Sequence, residues 1–191
     1  DVPVAESELV QLNGLAESFT EHKDMLNMAE KLLDKGKHHM KRDLEQKVED
    51  YNTSITDIRS NSKSELPYGS DKSVDDAFIR INKYRETIAN LKVEEASLIK
   101  GLTIFGTPLP ENKELTSLNK DIDFLTQIWE ITSEWAANWD SWKTGQFADL
   151  DVETLENVAG NYVKRVGKLG RDIKKWNVWS SMKGELDKFK D

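Results

Sequence analysis

The sequence predicts an all-α fold of elongated helical bundles, spectrin-like or coiled-coil-like, and three observations carry that prediction. Apolar residues recur at intervals of seven, with companions three or four positions away, over most of the chain. Only four prolines, Pro3, Pro67, Pro108 and Pro110, punctuate the 191 residues, so little forces the chain to turn. No apolar–polar alternation long enough for a useful strand occurs. Composition agrees with a narrow bundle that wets much of its surface. Charged residues make up 32%, against roughly 25% in an average globular domain, and hydrophobic residues make up only 37%.

The first helical stretch runs from about residue 5 to residue 58. Leu12, Phe19, Leu26, Leu33 and Met40 fall at sevens, with Leu15, Met25 and Ala29 on the same side. The pattern then steps by four to Leu44 and resumes through Tyr51 and Ile58, with Val48 and Ile55 beside them. Two readings fit this step. It is either a stutter within one helix or a corner at Lys35-Gly36-Lys37-His38-His39, since glycine costs about 1 kcal/mol relative to alanine inside a helix. Residues 60–73 read as a loop, rich in Ser, Asn, Gly and Pro and holding the turn cluster Pro67-Tyr68-Gly69-Ser70. Ser73 with Asp76 three residues later offers an approximate N-cap box. The helix it opens carries Ala77, Tyr84, Leu91, Leu98 and Phe105 at sevens, joined by Ile81, Ile88 and Leu102. Gly106-Thr107-Pro108-Leu109-Pro110 ends it, because proline lacks a backbone donor and restricts the residue before it. This junction is the expected boundary between an N-terminal bundle, residues 1–107, and a Trp-rich bundle, residues 108–191.

The second half restarts with Leu115, Ile122, Trp129 and Ala136 at sevens, interleaved with Leu118, Leu125, Thr132 and Trp139, up to Trp142 and a stop near Gly145. Asp151 is placed to cap the next helix. Its stripe runs Leu155, Val158, Tyr162, Val166, Leu169, Ile173 and Trp176, weakened by Gly160, Gly167 and Gly170. A last amphipathic stretch carries Trp179, Met182, Leu186 and Phe189.

Most chemistries are disfavoured by what the residues lack. A net charge of −8 argues against a nucleic-acid or anionic-membrane binder driven by bulk charge. With no cysteine, disulfides, zinc–thiolate sites, iron–sulfur clusters and a thiol nucleophile are excluded. No apolar run approaches the roughly 18 residues of a membrane helix, so a soluble helical module is expected. The start at Asp1 and the finish inside a charged helical pattern read as an excised piece of a longer chain. Gly101 and Gly106 have phosphate-loop spacing but no following lysine, and the residues between them belong to a helical stripe. His22, His38 and His39 follow Phe19, Lys35 and Gly36 at three residues, so no Glu-x-x-His pair exists. No Gly-x-Ser-x-Gly elbow occurs. Glu130 and Glu134 are one turn apart, a spacing that 35 carboxylates on a helical surface produce by chance. No catalytic, cofactor-binding or metal-ligating residue is assigned, and a helical enzyme is left as a remote third class.

Two features are suited to binding a partner. Trp135, Trp139 and Trp142 share a helix face by i, i+4, i+7 spacing, either as a bulky core seam or as a contact surface. Lys164, Lys168, Arg171 and Lys175 recur at helical spacing, with Arg165 and Lys174 adjoining. They form either a solvated face or a docking stripe for an acidic partner.

The run Leu125-Thr126-Gln127-Ile128-Trp129-Glu130-Ile131-Thr132-Ser133-Glu134-Trp135 leads into Trp139-Asp140-Ser141-Trp142-Lys143, then Asp149-Leu150-Asp151-Val152-Glu153, then Lys174-Lys175-Trp176 through Phe189. This series, over residues 108–191, resembles the stem (tail) region of dynein heavy chains just before the linker, in its axonemal type. The first half is similar to the helical stem that precedes it, in a pattern shared with spectrin-like repeats. Ala29-Glu30-Lys31-Leu32-Leu33 followed by Gly36-Lys37-His38 resembles a spectrin helix-to-helix corner, which favours a break near Gly36. The resemblance implies a non-catalytic segment of an ATP-driven microtubule motor, with no cofactor here because the ATP sites lie elsewhere in the parent. It implies a structural rod in the axoneme of a cilium or flagellum, with other dynein heavy, intermediate or light chains as partners and neither nucleic acid nor membrane. The alternative is a spectrin-like cytoskeletal scaffold or adaptor fragment, which co-sedimentation with actin would favour.

Overall fold

The computed structural model describes residues 6–145 and 152–190, except the side chains of Glu8, Leu12, Asn13 and Lys190. Five α-helices and one short 3-10 helix account for nearly all of them, and there is no strand among the described residues. The helices are α1 (Glu6–Glu65), α2 (Val74–Ile104), α3 (Lys113–Thr144), α4 (Val152–Lys168) and α5 (Asn177–Lys190), with the 3-10 helix at Arg171–Lys175. The all-α class is as expected. The expected Asp151 cap lies outside the described residues.

Helix α1 settles the question at Gly36. It runs unbroken through that residue for 60 residues, roughly 90 Å at 1.5 Å per residue, so the corner favoured by the spectrin-like resemblance is absent. One glycine costs only about 1 kcal/mol, and the flanking turns contain no proline or cap to redirect the chain. The expected loop also begins late, because α1 continues to Glu65. Its serines serve the helix there: Ser62 Oγ donates to the Arg59 carbonyl at 2.7 Å and Ser64 Oγ to that of Asn61 at 3.0 Å. Ser62 is fully buried.

Helix α2 matches its pattern up to Leu102, while Phe105, expected in the stripe, is the C-cap residue and lies outside the core. Ala77, Ile81, Tyr84, Ile88, Leu91, Leu98 and Leu102 are all buried, and Ser73 Oγ accepts from the Asp76 amide at 3.2 Å as the N-cap. At its other end Thr107 N–H reaches the Leu102 carbonyl and Gly106 N–H that of Thr103, both at 3.1 Å. This pair of bonds is a Schellman closure, with Gly106 supplying the required left-handed residue at φ 64°. Asn112 then caps α3 by accepting from the Glu114 and Leu115 amides.

Helix α3 is the spine. Its first half buries Leu115, Leu118, Ile122 and Leu125 against α1 and α2, and its second half buries Ile128, Ile131 and Trp135 against α4 and α5. Between the two halves the apolar face turns by roughly a third of the circumference at 100° per residue. The sevenfold pattern therefore fails at Ala136, which is exposed. One hydrophobic cluster runs from Tyr51 to Leu186 and crosses the Pro108 junction.

The chain around Leu66–Tyr68 joins the two ends of this cluster. Trp129 Nε1 donates to the Pro67 carbonyl at 2.9 Å in a buried site. Val178 N–H, at the start of α5, donates to the Tyr68 carbonyl at 3.1 Å, and the Tyr68 ring meets Trp176 edge-on at 4.8 Å. Tyr68 O–H donates to Asp121 at 3.2 Å, and Asp121 also receives Arg59 Nη1 at 2.6 Å. Burial and the Asp121 charge push the Tyr68 hydroxyl up to about 12. Burial works against the Arg59 charge, but the Asp121 carboxylate outweighs it and holds the guanidinium above its ordinary value.

Two substitutions that each remove a buried polar hydrogen are expected to differ in urea denaturation. Trp129→Phe leaves the buried Pro67 carbonyl without its donor and destabilises by about 1–3 kcal/mol. Tyr51→Phe removes a buried hydroxyl that has no hydrogen-bond partner, and is expected to be neutral or to stabilise by up to about 1–3 kcal/mol.

Candidate functional site

The tryptophans gather where α3 meets α4 and α5, but they are not equivalent. Trp135 is 5% exposed and is the hub of the cluster. Around it lie Trp139 at 6.3 Å, stacked, and Trp142, Tyr162 and Phe189 at 5.6, 5.7 and 5.2 Å, all edge-on. Trp142 is half-buried and stacks on Phe189 at 5.5 Å. Trp139 is 38% exposed, with Lys143 Nζ over its ring at 5.0 Å. Trp135 is core and Trp139 faces solvent.

Beside Trp139 lies an open groove of about 610 Å³ between α3 and α5, lined by Thr132, Trp135, Ala136, Trp139, Asp140, Glu185, Lys188 and Phe189. An aromatic floor with a charged rim is the composition of a protein-contact patch. Phe189, Asp140 and Glu185 were not singled out from the sequence as site residues. The apolar spacing of Met182, Leu186 and Phe189 marks one side of α5, but only the fold reveals which part of α3 it faces.

The basic stripe does not form as a helical face. Helix α4 stops at Lys168, and Arg171 and Lys175 belong to the 3-10 helix, so the helical spacing expected from 164 to 175 is broken at Leu169 and Gly170. Gly170 lies against Phe124, where a Cβ would come within 3.2 Å of the ring. Lys164, Lys168, Arg171 and Lys175 are all exposed. Lys168 borders a small cleft with Gln127, Glu130, Ile131, Arg165 and Leu169, which shares no residue with the tryptophan groove. The two expected contact features are therefore separate surfaces.

Arg165, an adjoining residue in the sequence reading, makes the bidentate ion pair of this region with Glu134. The hydrogen bond from Arg165 holds the Glu134 carboxyl below its ordinary value of 4.5. Glu134 is thus an anion fixed in a pair, unsuited to hold a proton for acid catalysis. Asn138 Nδ2 donates to the Tyr162 hydroxyl at 2.8 Å, and burial followed by the Glu134 charge raises that phenol. Among the described residues no group of three or more His, Cys, Asp or Glu is placed to hold a metal ion, and no helix is long and apolar enough to cross a membrane.

The arrangement is one of helical bundles strung on a shared helix, with an aromatic groove at one end. The family profile described as "Dynein heavy chain, N-terminal region 2" matches residues 115–191. The dynein-1-beta heavy chain of the flagellar inner arm I1 complex from Chlamydomonas reinhardtii is 32% identical over 190 residues, covering 100% of this chain and 4% of that protein. Dynein axonemal heavy chain 2 from Homo sapiens is 30% identical over 192 residues, and its Mus musculus counterpart 28%, again over 100% of this chain and 4% of each relative. The chain belongs to the dynein heavy chain family, as a segment of the N-terminal region of the axonemal type. It spans only about 4% of the length of these relatives.

The Glu134–Arg165 pair has both side chains more than two-fifths exposed, so solvent screens it to within about 1 kcal/mol. Because the folded-state value of Glu134 is lowered, its contribution is present above the unfolded glutamate value and fades as pH falls through the folded one. Glu134→Gln is expected to lower stability slightly at pH 7 and to match the parent chain in acid, as measured by denaturation at a series of pH values.

Proposed function

We propose that this chain is a non-catalytic stem segment of an axonemal dynein heavy chain, a structural rod between the ATP-driven microtubule motor and the tail with its associated subunits. The observation that carries the proposal is α3, one uninterrupted helix of 32 residues on which two bundles are built. A shared helix of this kind transmits displacement from one bundle to the next without a flexible joint. Hydrolysis of ATP belongs to other parts of the parent in this reading, and no cofactor is required here. The working location is the axoneme of a cilium or flagellum.

The partners proposed are other dynein heavy chains, intermediate chains or light chains, with no role for nucleic acid or membrane. Trp139 and Phe189 in the groove would take an apolar anchor from such a subunit, with Trp135 and Trp142 holding them from behind. Lys164, Lys168, Arg171 and Lys175 offer a second, electrostatic contact for an acidic surface.

In small-angle X-ray scattering the radius of gyration at low concentration is expected to exceed clearly the ~16 Å of a compact domain of this length. The purified chain is expected to hydrolyse no ATP above the blank and to stay in the supernatant with filamentous actin. Sedimentation with actin would instead support the spectrin-like scaffold. Trp139→Ala in the parent heavy chain is expected to weaken recovery of its subunits by about tenfold, the loss of roughly 1.4 kcal/mol. Circular dichroism of the 191-residue variant is expected to be unchanged, since that ring is over a third exposed.

A further inference from the structure

Residues 164–183 gather charge of one sign in an otherwise acidic chain. They carry seven basic side chains and a single acidic one, Asp172, whereas residues 6–145 carry eight more acidic than basic side chains. Two of the seven have carboxylate partners: Arg165 is held by Glu134, and Lys175 lies 3.8 Å from Asp172. Lys164, Lys168, Arg171, Lys174 and Lys183 are exposed and make no ion pair among the described residues. Elsewhere Arg59, Arg80 and Lys83 each meet a carboxylate.

The fold regroups these cations around Trp179, which their spacing in the sequence does not show. Trp179 Nε1 donates to the Val166 carbonyl at 3.2 Å, so the half-buried ring is fastened to the last turn of α4, the turn that carries Lys168. Lys174 Nζ, from the 3-10 helix, and Lys183 Nζ, from α5, lie over this ring at 5.8 and 5.6 Å from its centroid. An ammonium held at a ring has already given up part of its freedom, so less entropy is lost when it meets an anion.

We propose that this patch binds an unfolded acidic peptide segment, rich in glutamate or aspartate, whose carboxylates seat on Lys174 and Lys183 around Trp179 and extend along Lys168 and Arg171. The inference rests on the reading that the segment carries associated subunits, and it specifies what such a subunit brings to the basic surface: an extended charged tail. The cations come from α4, the 3-10 helix and α5, and they share no helical period because α4 stops at Lys168. An extended chain follows irregular spacing by placing successive side chains where the cations are, whereas a rigid acidic helix matches one period only. A nucleic acid or an anionic bilayer fits less well. Either one continues past the patch and meets the acidic remainder of the chain, where repulsion acts over a screening length of about 8 Å.

The test is fluorescence anisotropy of a labelled decaglutamate peptide titrated with the 191-residue chain, alongside labelled oligouridylate and pelleting with phosphatidylserine vesicles. Saturable peptide binding that weakens as salt is raised is expected, with weaker binding of the RNA and the vesicles. Lys174→Glu combined with Lys183→Glu is expected to weaken peptide binding by at least about tenfold, because the new carboxylates oppose those of the peptide. Neither lysine has a carboxylate partner to lose, and circular dichroism is expected to be unchanged. Lys37→Glu with Lys41→Glu, on the exposed N-terminal half of α1, reverses the same number of charges and is expected to keep affinity within about twofold. Absent peptide binding, an equal loss in both double variants, an unweakened Lys174→Glu/Lys183→Glu chain, or RNA or vesicle binding as tight as that of the peptide each overturns the proposal. The peptide assay contains no dynein subunit, so its failure sinks this inference alone. A parent heavy chain that recovers no subunit sinks the reading of function instead and leaves the peptide result standing.

Discussion

The turn at Leu66, Pro67 and Tyr68 fixes where both bundles sit, because three helices depend on groups that this short stretch presents. Its Pro67 carbonyl receives Trp129, its Tyr68 carbonyl receives the Val178 amide of α5, and the Tyr68 hydroxyl reaches the carboxylate that Arg59 of α1 also holds. Backbone carbonyls in a buried turn need partners, and here the partners come from α3 and α5 rather than from neighbours in sequence. Proline suits the position, since it donates no backbone hydrogen and therefore leaves no further group to satisfy. The Asp121 carboxylate, only 18% exposed, anchors the underside through Arg59 and Tyr68. Without this turn the second bundle would have contact with α1 and α2 only through α3.

Legibility in the sequence followed how locally each feature is determined. Helix α2 was readable to the residue at its start and within one turn at its end, because a serine cap, an unbroken sevenfold pattern and a glycine–proline stop all act within a few residues. The end of α1 was not, because its serines prefer turns in isolation and become helical only when Ser62 is buried and bonded to a carbonyl three residues back. The break after Lys168 was signalled only by Gly167 and Gly170, while the packing of Gly170 against Phe124, more than forty residues earlier in the chain, was not readable locally. The failed position at Ala136 has a similar cause. A helix that changes partners midway must change faces, whereas a periodicity search assumes one face throughout.

The same distinction applies to the binding surface. Three tryptophans on one face were visible as a set, but which of them touches solvent depends on where Phe189 and Tyr162 settle around Trp135. The aromatic cluster covers its own hub and leaves one ring at the edge. The basic residues were visible as charges, yet the residue with a defined structural partner, Arg165, is the one whose acid lies thirty-one positions away on α3. Long-range pairing of this kind marks the link between α3 and α4, and it takes Glu134 out of consideration as a proton carrier.

The continuity of α3 has a mechanical consequence. Bending the molecule between its bundles would require compressing or parting the backbone hydrogen bonds of a helix that is packed along both halves, on two different faces. A load along its axis meets a stiff column, while a twisting load engages the two bundles as opposed vanes set about a third of a turn apart. In the proposed rod such an element would convey torque as well as thrust, and would yield first where one packing face hands over to the other, between Leu125 and Ile131.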